Sequence, residues 1–108
     1  MLKLAVIADD LTGANDAGVQ FAKEGLKVQV LLGESAEEQE KELPDVIVLD
    51  TDSRAAIPDQ AYERVRKAGG LIKRLTPSRP AVFQKIDSTL RGNLGVEIDA
   101  VMDELGFE

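Results

Sequence analysis

Residues 1–32, MLKLAVIADDLTGANDAGVQFAKEGLKVQVLL, decide the fold. Leu2–Ala8 is a short apolar run, closed by Asp9 and Asp10, and reads as a buried strand. From Thr12 to Gly25, small or apolar residues recur at Ala14, Ala17, Gly18, Phe21, Ala22 and Gly25. That spacing is a helix stripe, with Thr12 as a possible N-cap, Asp16 in the first turn and Gly25 as the stop. Lys27–Leu32 then reads as a second strand. A strand, a helix and a second apolar strand make a βαβ unit, and such units form parallel sheets.

The remaining sequence repeats the alternation. A short polar helix is expected over Ala36–Leu43, ending before Pro44, and Asp45–Leu49 is a third strand. Pro58 opens a helix that carries Ala61, Val65, Ala68, Ile72 and Leu75 on one face, through Gly69-Gly70. Ala81–Ile86 is the fourth strand. Asn93–Leu105 closes as a helix, with Leu94, Ile98, Val101, Met102 and Leu105 as its apolar face and Gly106 as its stop. The expected fold class is α/β: a three-layer α/β/α sandwich on an open parallel sheet of about four strands. No repeat, low-complexity stretch or linker divides residues 1–108. The chain ends two residues after a helix, where the alternation calls for another strand.

In an open parallel sheet the carboxyl ends of all strands share one edge, where ligands bind. Strand one is followed by Asp9-Asp10, strand three by Asp50-Thr51-Asp52-Ser53-Arg54, and strand four ends in Gln84-Lys85-Ile86-Asp87-Ser88-Thr89-Leu90-Arg91-Gly92-Asn93. Strand two is followed only by Gly33-Glu34-Ser35. Three loops thus gather Asp9, Asp10, Asp52, Ser53, Arg54, Lys85, Asp87, Ser88, Thr89 and Arg91 at one edge. Order 2-1-3-4 keeps the three decorated strands together with the plain one outside, and is preferred over 3-2-1-4. Taken singly, each loop could be a cap or an Asx turn. Taken together, cations beside carboxylates and hydroxyls suit a small polyhydroxylated anion, with Arg gripping a carboxylate and Asp accepting from hydroxyls.

Composition narrows the chemistry. The 108 residues contain no Cys and no His, which excludes disulfides, thiolate sites, His-based triads and His metal ligands. The net charge of −7 argues against nucleic acid as the partner. The excess is local: residues 34–45 carry a net −5, residues 97–108 hold five acids and no base, and both read as solvated helical faces. No apolar run is long enough to span a bilayer and no signal-peptide pattern opens the chain, so a cytoplasmic protein is expected. Neither G-x-x-x-x-G-K-[ST] nor G-x-G-x-x-G follows the first strand, so no nucleotide-phosphate loop is legible.

The segments IADDLTGANDAG at 7–18, LDTDSRA at 49–55 and KIDSTLRGN at 85–93 resemble, in order and spacing, the N-terminal sugar-binding domain of the four-carbon acid sugar kinases. The resemblance runs over the whole chain but covers only the opening quarter or so of a family member. It implies that residues 1–108 are the first part of a sugar-acid-binding domain and that the C-terminal ATP-binding domain is absent. It further implies a full enzyme that moves the γ-phosphoryl group of ATP, with Mg, to a hydroxyl of threonate, erythronate or 3-oxo-tetronate. This portion alone would be inactive and would bind no cofactor.

By the same resemblance, Asp10 and Asp87 would hold substrate hydroxyls, and Arg54, Lys85 and Arg91 would face a carboxylate or incoming phosphate. Asp9, Asp52, Ser53, Ser88 and the Gly92 backbone would complete the substrate shell. Asp10 is the catalytic candidate, not separated by sequence from Asp9. Apolar surface left open by a missing continuation implies a homo-oligomer, or the absent C-terminal domain, as cover. Two other readings exist. One is a receiver-like signalling domain with Asp50 as phospho-acceptor, which lacks the turn and the later lysine that such domains carry. The other is a Mg-dependent phosphohydrolase built on Asp50-Thr51-Asp52, a pair that follows the wrong strand.

Overall fold

A computed structural model describes residues 2–32, 44–75, 81–85 and 92–106. In chain order these form β1 (Leu4–Ala8), α1 (Leu11–Lys23), β2 (Val28–Leu32), β3 (Val46–Asp50), α2 (Pro58–Leu75), β4 (Ala81–Lys85) and α3 (Leu94–Leu105). The helix expected over residues 36–43 lies outside the described residues.

The four strands form one all-parallel sheet. Period-two alternation sends successive side chains of the central strands to opposite faces. Ala5, Ile7, Ile47 and Leu49 pack with Val65, Ala68, Leu71 and Ile72 of α2 and Ala100, Val101 and Leu105 of α3. Val6, Ala8, Val46 and Val48 pack with Ala14 and Ala17 of α1. The expected α/β/α layering is therefore present. Ile7, Ile47, Val65 and Ile72 are fully buried, each contributing roughly 1.5–3 kcal/mol. Gly69 and Gly70 continue α2 unbroken, and Gly69 lets α3 come close: a Cβ there would sit 3.0 Å from Glu104 Cγ. Arg66 grips Glu104 Oε2 at 2.7 Å, Lys73 reaches Oε1 at 3.7 Å, and Tyr62 donates to Asp103 at 2.5 Å, tying α2 to α3.

Three expectations need correction. The strand order is 2-3-1-4, not 2-1-3-4. The loop argument needed only that β2 stand outside the decorated strands, and both orders satisfy it. Asp45 makes the choice. Its carbonyl accepts the Lys3 and Leu4 N–H groups at 2.8 and 3.2 Å, while its carboxylate accepts the Lys27 N–H at 3.0 Å. The entry of β3 is thereby bonded to β1 on one side and to β2 on the other. The crossover from β1 to β2 carries α1 on one face, and that from β3 to β4 runs the other way with α2 on the opposite face. A shared crossover hand requires that arrangement.

Second, α1 starts at Leu11 and is capped by Asp10, whose Oδ1 accepts the Gly13 N–H at 2.9 Å; Thr12 is not the cap. Asp10 has the extended backbone that a cap requires, and a carboxylate is the stronger acceptor. Third, α3 is rotated from its expected face. Glu97, Ala100, Val101 and Leu105 are buried, whereas Ile98 and Met102 are about 40% exposed. The close packing against Gly69 and a hydrogen bond between Glu97 and Ser53 draw the Glu97–Glu104 side inward, so the acidic run beginning at residue 97 is not wholly a solvated face.

Candidate functional site

β1 and β3 are neighbours whose following loops leave for opposite faces, and the crevice between their carboxyl ends is where an α/β sheet offers a ligand site. Asp9 and Asp10 end β1, and Asp50–Arg54 end β3. The β3 loop folds back over β1: the Thr51 N–H donates to the Ala8 carbonyl at 2.9 Å, and the Ser53 and Arg54 N–H groups both donate to the Asp9 carbonyl at 3.0 and 3.1 Å. These bonds carry Arg54 across the strand gap. Its Nη2 lies 3.0 Å from Asp9 Oδ1 and its Nη1 2.9 Å from Asp10 Oδ2, so one guanidinium clamps both carboxylates.

The two acids differ in access. The Asp9 side chain is 9% exposed and that of Asp10 is 28% exposed. Asp9 Oδ2 faces Gly92, where an added Cβ would stand 2.6 Å away. Gly92 has φ +98, a conformation that side chains disfavour, and its bare backbone closes the crevice over Asp9. Lys85 at the end of β4 pairs in register with Ala8, and its Cγ passes 3.4 Å from where a Gly13 Cβ would be. Lys85 therefore stands over the first turn of α1, beside Asp10.

Asp52 has φ +51, the left-handed region that Asp tolerates in turns. The Asp50 carboxylate stabilises that turn by accepting the Asp52 N–H at 2.8 Å, and Arg64 donates to the Asp52 carbonyl. Burial holds the Asp50 carboxyl above the usual aspartate range, and the negative neighbours Asp52, Asp10 and Asp9 add to the shift against the pull of that N–H. A groove of about 1200 Å³ leads from Asp50–Asp52 over Leu31 and Leu49 along the basic side of α2.

Ser53 is fully buried. Its hydroxyl lies 2.6 Å from Thr51 Oγ1 and 2.9 Å from Glu97 Oε1, while Asn93 Nδ2 donates to the Ser53 and Ala56 carbonyls at 3.1 and 2.8 Å. The first turn of α3 thus holds the loop that aims Arg54.

Of the residues expected from sequence, Asp9, Asp10, Arg54, Lys85 and Gly92 lie together at the crevice, and Asp52 borders it. Ser53 lies beneath it, with a hydroxyl engaged inward. Asp87, Ser88 and Arg91 lie outside the described residues. Sequence reasoning missed Glu97 and the bracing by Asn93. A carboxylate at Glu97, one residue away from Ile98 on the presumed apolar face, gave no periodic signal. Asn93, just before the apolar run, looked only like a helix start.

The arrangement offers carboxylate acceptors and a paired cation at a strand-end crevice. Among the described residues no group of three or more Asp or Glu is placed to hold a metal ion, and Asp9 and Asp10 are already paired to Arg54.

A family model described as a sugar-binding N-terminal domain matches residues 4–108. The chain is 46% identical over 101 residues to a D-threonate kinase of Salmonella typhimurium, covering 94% of this chain and 23% of that protein. It is 47% identical over 108 residues to a D-erythronate kinase of Heliobacterium modesticaldum, covering 98% of this chain and 24% of that protein. A solved structure from Bordetella bronchiseptica superimposes with a TM-score of 0.76 at 33% identity, covering 94% of this chain and 25% of that one. It is described as a domain of unknown function with bound citrate, in a domain-swapped dimer. The chain spans about a quarter of the length of the curated relatives it matches.

Proposed function

The chain belongs to the family of sugar-binding N-terminal domains, and from that premise we propose that it is the sugar-acid-binding part of an ATP-dependent kinase acting on a four-carbon acid sugar. The observation that carries this reading is the clamp of Arg54 on Asp9 and Asp10 at the β1/β3 crevice, walled by the Gly92 backbone. A polyhydroxylated acid needs acceptors for its hydroxyls and cations for its carboxylate. Asp10 and Asp52 supply the first; Lys85 and, as carried over from the family resemblance, Arg91 supply the second. Asp87 and Ser88 complete the hydroxyl contacts in the same reading. Relatives named for threonate and erythronate support the substrate class.

Asp10 takes the role of orienting the attacking hydroxyl and accepting its proton. It is the more exposed of the two paired acids, while Asp9 is walled in. ATP and its magnesium belong, in this proposal, to a C-terminal domain not represented in residues 1–108, and no step through them is derived from the residues described. Exposed Phe83 on the edge strand β4, together with Ile98 and Met102, supports association with a second copy or with that further domain. A receiver-like role for Asp50 is not favoured: receivers carry strand order 2-1-3-4-5, which this sheet does not follow.

The test is a chimera in which residues 1–108 replace the matching quarter of the D-threonate kinase. The chimera is expected to release ADP in the presence of threonate or erythronate, and the isolated chain to release none. A chimera that folds yet phosphorylates no four-carbon acid, or an isolated chain that turns over ATP, overturns the proposal.

A further inference from the structure

Behind the crevice, three oxygen-to-oxygen contacts run in a line from the main chain to a buried acid. Thr51 Oγ1 lies 3.1 Å from the Ala8 carbonyl oxygen, Ser53 Oγ lies 2.6 Å from Thr51 Oγ1, and Glu97 Oε1 lies 2.9 Å from Ser53 Oγ. Thr51 is 6% exposed, Ser53 0% and Glu97 1%. A carbonyl donates nothing and each hydroxyl carries one proton. If Glu97 is ionised, two protons must serve three contacts, and one buried contact sets lone pair against lone pair. If Glu97 is the neutral acid, its O–H donates to Ser53, Ser53 donates to Thr51, and Thr51 donates to Ala8. Three contacts then hold three protons.

We infer that Glu97 is a neutral acid at neutral pH and that its proton completes the chain positioning the Ser53–Arg54 loop. The surroundings agree. Burial, the largest influence, pushes the Glu97 carboxyl above the usual glutamate range, and Asp9 at the end of β1 adds to it. Ser53 and Arg54 of the β3 loop and the Asn93 N–H at the start of α3 pull the other way and are outweighed. The consequence reaches the crevice through Ser53, whose N–H donates to the Asp9 carbonyl, next to the Arg54 N–H on the same oxygen. Loss of the Glu97 proton leaves the line one proton short, so Ser53 and Thr51 cannot both keep their bonds. Glu97 is thus a positioning residue for Arg54. The inference goes beyond the proposed kinase role and does not depend on what the crevice binds.

The test follows the side-chain carboxyl carbon of Glu97 by NMR in the ¹³C-labelled chain from pH 4 to 9, assigned by its loss in Glu97→Gln, with urea unfolding at each pH. Glu97 is expected to titrate above the exposed glutamates and to remain mainly protonated at pH 7. Because the native state then keeps a proton that the unfolded state releases, stability falls as pH rises from the ordinary glutamate range to the raised value. Across that interval Glu97 contributes up to a tenfold loss in the folding constant per pH unit. Glu97→Gln, whose amide N–H donates to Ser53 as the acid does, is expected to remove that contribution and leave the Arg54 amide resonance in place. A Glu97 carboxyl that titrates with the exposed glutamates overturns the inference, as does a Gln variant with the full decline. Should the variant fail to fold, assignment of the carboxyl through the Glu97 backbone resonances lets the titration of the unaltered chain decide by itself.

Discussion

Replacing Gly92 with alanine separates the cost of an unfavourable backbone from the cost of disturbing the Arg54 clamp. The backbone part has a control within the same chain. Gly25 has φ +84 and nothing within 4 Å of an added Cβ, so Gly25→Ala carries only the left-handed penalty, about 1–2 kcal/mol. Gly92→Ala carries a similar penalty at φ +98 and also drives its Cβ to 2.6 Å from Asp9 Oδ2, where ordinary contact begins at 3.4 Å.

Asp9 must therefore retreat by about 0.8 Å, although its Oδ1 is held by Arg54 at 3.0 Å. A charged hydrogen bond is worth roughly 1.5–3 kcal/mol, and the partial exposure of Arg54 reduces that to about 1–2. Gly92→Ala is expected to cost about 2–4 kcal/mol in all, an excess of about 1–2 over Gly25→Ala and a factor of roughly 5–30 in the folding constant. Urea unfolding of both variants at pH 7 reads this directly. Repeating Gly92→Ala on an Arg54→Gln background should shrink the excess, since the bond being broken is already gone. Equal costs for Gly92→Ala and Gly25→Ala would refute the close approach on which the crevice is built.

Other outcomes follow from the same contacts. Asp50→Asn keeps an acceptor for the Asp52 N–H and removes a carboxyl whose raised value makes the native state hold a proton longer than the unfolded chain. Stability of the unaltered chain should fall as pH rises from the ordinary aspartate range, and Asp50→Asn should flatten that part of the curve in urea midpoints from pH 3.5 to 7. Gly70→Ala should stabilise by up to about 1 kcal/mol through helix propensity, since its Cβ would meet only the end of the Glu104 side chain, Oε1, at 3.4 Å. Gly69→Leu should destabilise by about 1–3 kcal/mol by forcing α3 from α2, both read by thermal unfolding. Sedimentation of the chain at several concentrations should show association that Phe83→Glu weakens; monomer at every concentration would count against a docking role for β4.

The fold was legible because the sequence is locally consistent: apolar runs of strand length alternate with helix-period stripes, and Pro58 and Gly25 sit where such helices start and stop. The edge on which the polar loops gather followed from parallel topology alone. The order of the two central strands did not, because β1 and β3 are both apolar and both followed by acids. What separates them is the set of bonds that Asp45 makes to either side, a tertiary detail with no sequence period. Asp10 was read as a candidate site residue but not as the cap of α1, since Thr12 is an equally good cap by residue type. Glu97 was hidden for a different reason. Periodicity ranks residues by apolarity, and a buried acid that bonds to a distant serine runs against that ranking. Its partner, Ser53, lies 44 positions away.

The central claim is that the β1/β3 crevice holds a four-carbon sugar acid, and mapping amide resonances during titration with D-erythronate or D-threonate tests it most directly. Saturable shifts are expected, concentrated at Asp9–Gly13, Asp52–Arg54 and Gly92–Asn93, weakened by Arg54→Gln and little changed by Gly70→Ala. Shifts centred on the outer face of α2 or α3, or no saturable shift at those three loops, would contradict it.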